Sequence, residues 1–196
     1  MGRITKLSLN ELAAKMLIAD DFEISSFFGC GDVYSPLGQY LGHHGAYGDD
    51  TIYVYANGFY TPLSESSAAF DVLNSIVSSQ IGYSGGIVGC SGILAGVGWK
   101  QDGSYVLYMD FGAMGLFQNQ YNLQMTLFHE QFHISSGPQT GNKAKHENAA
   151  YEATVNHPSF AYTSSEFKAR TAEGWYNECG ASYEKSLSYY QGLCGI

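Results

Sequence analysis

Hydrophobic and polar positions divide the chain into a strand-forming first half and a helix-forming second half. From Met1 to Asp21 the residues Leu7, Leu9, Leu12, Met16 and Leu17 fall near one face of a helix, which predicts an amphipathic N-terminal helix. Gly, Tyr and turn residues then dominate positions 27–50, a loop or hairpin region. Thr51 to Ala56 (T-I-Y-V-Y-A) alternates β-branched and aromatic residues and reads as a strand ended by Asn57-Gly58. Between Glu65 and Gln80, the spacing of Phe70, Leu73, Ile76 and Val77 predicts a helix with one buried face, and Ser64 stands where an N-cap would. Ile81 to Lys100 is apolar and glycine-rich but lacks the Lys-Ser/Thr ending of a phosphate-cradling loop, so we read it as loop and strand packed under a site. Tyr105 to Asp110 (Y-V-L-Y-M-D), after the turn Asp102-Gly103-Ser104, is the strongest strand pattern of the chain.

The second half changes period. Gln118 to Ser135 reads as a helix with Leu123, Leu127, Phe128 and Ile134 as core candidates, stopped by Gly137-Pro138. A second helix runs over K-H-E-N-A-A-Y-E-A-T-V, Lys145 to Val155, and Asn156-His157-Pro158 ends it. Thr163-Ser164-Ser165-Glu166 is a capping-box pattern opening a last helical stretch toward Tyr190, with Gly174 and Gly180 as the places where it would break. No repeat appears at a period of about 20–50 residues. The expectation is one α+β domain over 1–196, β-rich to about 110 and helical over 118–196.

Composition narrows the functions open to such a domain. Apolar residues make up 45% and charged residues 14%, with 16 Tyr and 24 Gly, as in an ordered, loop-rich globular protein. A net charge of −9 removes the basic face that nucleic acid or an anionic membrane would need, so neither is expected as a partner. No apolar run reaches the roughly 20 residues of a membrane span, and the start does not read as a signal peptide. The expected location is therefore the cytoplasm, or export by a dedicated machine, or a place within a longer chain. The four cysteines, Cys30, Cys90, Cys179 and Cys194, form no C-x-x-C pair; buried free thiols are expected, with a Cys179–Cys194 disulfide as the alternative in an oxidising compartment.

The chemistry is concentrated in T-L-F-H-E-Q-F-H-I-S-S-G, Thr126 to Gly137. Residues i and i+4 of a helix share a face, so His129 and His133 can turn both imidazoles to one ion. Glu130 lies about 100° round the helix from His129, beside the metal and able to take a proton from the attacking water. Zn²⁺ is the expected ion, and a catalytic site of that kind needs a third protein ligand. His146, Glu147, Glu152 and His157 are the residues nearby. A metzincin-type third histidine is absent, because the position six residues past His133 is Gln139, so a second helix must supply the ligand. Ala149, Ala150 and Ala153 would let that helix pack closely. Tyr151, His157 and Tyr162 are candidate donors to a transition-state oxyanion, with Tyr151 taken as the catalytic one. His146 reads as a solvated neighbour, and His43-His44 lacks the carboxylates of a second metal site.

H-E-x-x-H followed by E-x-x-A-Y, here His129-Glu130-x-x-His133 and Glu147-x-x-Ala150-Tyr151, resembles the gluzincin branch of zinc metallopeptidases, especially small zincin-like domains of bacterial polymorphic-toxin and phage-associated proteins. The phrase Y-S-P-L-G-Q-Y-L-G, from Tyr34, is similar to a strand-and-turn segment of some of them. The resemblance covers roughly Tyr34 to Tyr55 and Leu127 to Phe160. It implies a zincin-like fold, with a small mixed or antiparallel sheet holding both Thr51–Ala56 and Tyr105–Asp110, an active-site helix beneath, and a helical C-terminal part. It implies His129, His133 and Glu147 as metal ligands and Glu130 as general base; Glu152, at a spacing more usual for gluzincins, is the competing ligand. The implied activity is zinc-dependent hydrolysis of a protein or peptide substrate, held as an added strand on the sheet edge. The alternatives are a self-processing domain of a larger secreted or phage-borne protein, and a non-catalytic binding or structural module.

Overall fold

The computed structural model describes residues 31–43, 50–138 and 141–196. The expected N-terminal helix, Cys30, His44 and Gln139 lie outside them. The fold is α+β, with two small mixed sheets followed by helices. β1 (Asp32–Tyr34) pairs antiparallel with β2 (Tyr40–His43) and parallel with β3 (Tyr53–Ala56), which pairs antiparallel with β4 (Phe59–Pro62). The β3–β4 hairpin turns on Asn57 and Gly58, at φ 53° and 85°, a left-handed pair that matches the twist of the flanking strands. After α1 (Ala69–Ile81) comes the second sheet, in which β7 (Tyr105–Met109) lies between β5 (Val88–Gly89, parallel) and β6 (Ala95–Trp99, antiparallel). The strands at 53–56 and 105–109 therefore belong to different sheets, because β7 draws its neighbours from the glycine-rich segment rather than from β3.

The helices follow without a break in type. They are α2 (Met114–Phe117), α3 (Gln120–Ser136), α4 (Lys143–Val155), α5 (Ser165–Tyr183) and α6 (Leu187–Cys194). Several sequence expectations shift here. Ser64 lies in a single 3₁₀ turn and bonds Gln118, while α1 starts five residues later, at Ala69, without a side-chain cap. Its buried face is Val72, Leu73, Ile76 and Val77, and Phe70 is 45% exposed, edge-on to Phe111. α5 runs through Gly174 and Gly180 and ends at Glu184, which takes the left-handed conformation. Its N-cap is Ser164, accepting from Phe167 N, one residue later than the capping box suggested.

Two apolar clusters form the core, and α3 stands between them. One gathers Ile52, Val54, Leu73, Ile76, Leu107 and Met109 with Leu123 and Leu127 of α3; the other gathers Phe160, Phe167, Trp175, Cys179 and Tyr190 with Met125. A helix buried on more than one side has no single apolar stripe. Cys90, Cys179 and Cys194 are free thiols. Burial pushes Cys179 and Cys194 up to about 11, so they stay unionised at neutral pH. Among the described residues, no helix is long and apolar enough to cross a membrane.

Asn122 locks α3 to the start of α5. Its amide donates to Leu116 O and to Ser164 Oγ, each at 3.0 Å, and accepts from Ser164 N at 3.0 Å, all in a buried position. Asn122→Ala leaves those groups unpaired and should lower the unfolding free energy by about 1–3 kcal/mol. A shifted urea midpoint at unchanged slope would show it; a midpoint within error of the parent would mean that the bonds contribute nothing net.

Candidate metal centre

Local capping sets where each half of the site begins. Asn119 caps α3, accepting from Tyr121 N and Asn122 N, and Gly137 closes it at φ 75°. Asn142 caps α4 by accepting from Lys145 N. α4 is then fastened to α5 from outside: Trp175 Nε1 donates to Asn148 Oδ1 at 2.9 Å, Cys179 Sγ to Ala144 O at 3.3 Å, and Lys143 pairs with Glu178 at 2.7 Å. Glu147, Ala150, Tyr151 and Thr154, at i, i+3, i+4 and i+7, share one face of α4. Ala150 is fully buried on that face.

Three candidate ligand atoms converge where α3 meets α4. His129 Nε2 and His133 Nε2 are 3.1 Å apart, and Glu147 Oε2 lies 3.6 Å from the first and 3.3 Å from the second. In a tetrahedral shell with bonds of about 2.0–2.1 Å, neighbouring ligand atoms are about 3.3–3.4 Å apart, so the triangle has the size that a small divalent cation requires. Glu130 adds a second sign of fit. Its carboxylate is buried and Oε2 has no hydrogen-bond partner among the described residues, an expensive state unless the site is completed by something else.

The electrostatics follow from burial and proximity. Burial alone would raise the Glu147 carboxyl, but contacts from His129 and His133 overcome this and hold it well below the ordinary carboxylate range. Glu130 moves the opposite way, raised by desolvation that the two imidazoles only partly offset. Desolvation lowers His133, yet Glu147 and Glu130 beside it raise it more. Burial and then Glu147 and Glu130 push the Tyr151 hydroxyl far above its usual range.

Of the other sequence candidates, Glu152 is exposed and accepts from Asn148 Nδ2 at 2.8 Å, away from the histidines. His157 caps the turn after α4, accepting from Ser159 N, with its ring against Phe128. Tyr162 is 64% exposed and packs on Tyr121. Neither lines the cleft described below. Tyr151 does: its ring lies 4.5 Å from that of His129 and stacks on Trp175. His146 is more than a solvated neighbour, since its ring stacks on His133 with the Nδ1 atoms 3.1 Å apart. Thr154, which carried no signal in the sequence, lies 3.3 Å from His129 Nδ1.

His129, Glu130, His133, Glu147, Tyr151 and Thr154 together line the floor of a cleft of about 820 Å³. β6 and the segment before it, Gly92 to Val97, line one wall, as expected of the glycine-rich segment. Arg170, Glu173, Gly174, Asn177 and Glu178 of α5 also line the cleft, a contribution hidden in a helix where the sequence suggested a break at Gly174 or Gly180.

Residues 112–193 match the family model of metallopeptidase toxin 2. The matched segment contains α2 to α5 and the whole His129–His133–Glu147 cluster, and begins just after β7. No curated protein and no solved structure matches the chain. The family match and the convergent donor set together support a metallopeptidase-like function with a metal cofactor.

Two sets of substitutions probe this geometry. Glu147→Gln should weaken divalent-cation binding by more than the roughly 10–100-fold that loss of an outer partner costs, and Glu152→Gln should leave it within about twofold, as read by chelator competition. Equal losses would place the third ligand elsewhere. Gly174 is needed for clearance, since a Cβ there would lie 2.6 Å from the Tyr151 hydroxyl oxygen but 3.5 Å from Cζ. Gly174→Ala should cost about 1–3 kcal/mol of stability, and adding Tyr151→Phe should recover most of it in a denaturant double-mutant cycle.

Proposed function

We propose that the chain is a zinc-dependent peptidase domain of gluzincin type on a zincin-like fold, hydrolysing peptide bonds in a protein substrate. The observation that carries this reading is the triangle of two Nε2 atoms and Oε2, at 3.1, 3.3 and 3.6 Å, beside a buried glutamate on the floor of an open cleft. Two imidazoles and one carboxylate are a donor set typical of catalytic zinc. His129, His133 and Glu147 would hold the ion, which when bound acidifies water and polarises a carbonyl. The match to metallopeptidase toxin 2 supports peptide-bond chemistry and hence a protein substrate.

The chain's own groups supply the rest. Glu130 follows His129 on α3, so its carboxylate sits beside the ligands without being one of them. Raised by burial, it is a stronger base than a solvated carboxylate and a usable acid afterwards. It takes a proton from the attacking water as the new C–O bond forms, then delivers that proton to the nitrogen as the C–N bond breaks. Tyr151, protonated throughout the neutral range and lining the cleft, would donate a hydrogen bond to the developing oxyanion. β6 pairs only with β7 among the described strands and lines the cleft, so its open edge suits an extended peptide bound as an added strand.

The deciding variant is Glu130→Gln, nearly isosteric and unable to accept the proton. It should keep one equivalent of zinc and the parent melting temperature, yet hydrolyse a protein substrate at least about 10²-fold more slowly. A parent protein that binds no stoichiometric zinc, or a Glu130→Gln variant with the parent's turnover, would overturn the assignment.

A further inference from the structure

We infer that Thr154 is a positioning residue that holds His129 as the Nδ1–H tautomer, so that its Nε2 lone pair faces the metal centre. The inference rests on the metal reading above for its purpose, but its geometry is independent of any ion. Thr154 Oγ1 has two polar neighbours, Ala150 O at 2.8 Å and His129 Nδ1 at 3.3 Å. A carbonyl oxygen can only accept, so the single hydroxyl proton is committed to Ala150, one turn earlier on α4. Toward His129 the hydroxyl therefore presents a lone pair, and Nδ1 must carry the proton and donate. A neutral imidazole protonated at Nδ1 has its lone pair on Nε2, the atom that stands 3.1 Å from His133 Nε2 and 3.6 Å from Glu147 Oε2. Thr154 is only 2% exposed, so bulk water does not compete for the bond.

α4 thus acts on His129 in three ways. Glu147 contributes the third ligand atom, Tyr151 lies against the ring at 4.5 Å between centroids, and Thr154 holds its far edge. The partner of a metal-binding histidine is usually a carboxylate, backbone carbonyl or water. Here a hydroxyl does the same work, because its own proton is occupied and cannot reverse the polarity of the bond. His146 Nδ1 occupies the corresponding place against His133 Nδ1, but two imidazoles can exchange donor and acceptor roles, so that contact by itself does not set the direction of the bond. Thr154 is the partner whose direction the structure dictates.

The test compares Thr154→Val, which keeps the shape and deletes the lone pair, with Thr154→Ser, which keeps the hydroxyl. Zinc affinity of the metal-free full chain, read by chelator competition, should fall about 10–100-fold in Thr154→Val and stay within about threefold of the parent in Thr154→Ser. Affinity unchanged in Thr154→Val, or lost equally in both variants, would overturn the inference. A long-range ¹H–¹⁵N spectrum of the metal-free parent supplies a second reading that does not require either variant to fold. It should show His129 protonated at Nδ1, and a proton on Nε2 with Nδ1 bare would overturn the inference. Failure of the peptidase reading looks different: the parent itself would bind no stoichiometric zinc, while the tautomer measurement would still decide the role of Thr154.

Discussion

A glutamate side chain reaches two imidazoles on a neighbouring helix only where the two backbones approach closely, and the face of α4 turned to the centre permits it. Ala150 is fully buried on that face, with Glu147 one turn before it and Thr154 one turn after. A larger residue at 150 would move α4 away and carry both the ligand atom and the outer hydrogen bond with it. The contacts of Asn148, Ala144 and Lys143 with α5 then keep α4 from sliding along its axis. The site is therefore a property of helix packing rather than of a loop, which is the kind of support that holds ligand atoms to within fractions of an ångström.

α3 carries the opposite burden. It bears apolar residues toward both clusters and, on the remaining side, buried Glu130 and His133. Buried polar groups of this kind are tolerated when they are paired or when function requires them. His133 is paired by Glu147 and His146, whereas Oε2 of Glu130 is left without a partner among the described residues. The unpaired atom is on the residue to which base chemistry is assigned, and there an unsatisfied carboxylate is useful.

What could be read from the sequence was what local geometry determines. The i, i+4 spacing of His129 and His133 fixes their common face without reference to the rest of the fold, and the strand patterns at 53–56 and 105–109 are equally local. Glu147 and Glu152 were harder to separate because α4 buries alanine and threonine rather than large apolar residues, leaving its phase faint; Glu152 is rotated well away from the Glu147–Ala150–Thr154 face. The division into two sheets depends on pairings distant in sequence, which no local pattern encodes. Gly174 looked like a helix break because glycine is a poor helix former, yet its missing Cβ makes room for Tyr151. Thr154 gave no signal, since threonine in a helix is common and its role arises only from what stands opposite.

The charge balance of the centre points in the same direction as its geometry. Two carboxylates, Glu130 and Glu147, lie beside two histidines with little exposure to water. Without a cation, Glu147 and Glu130 raise His133 so that it holds a proton more readily, while Glu130 itself is raised chiefly by burial. A divalent cation would offset the same negative charge through bonds whose lengths suit the observed triangle, and would displace protons from its ligands on binding. The arrangement that is electrostatically awkward without a cation is thus one that favours binding it, and Glu130, which is not among the three convergent groups, lies beside them with its carboxylate buried.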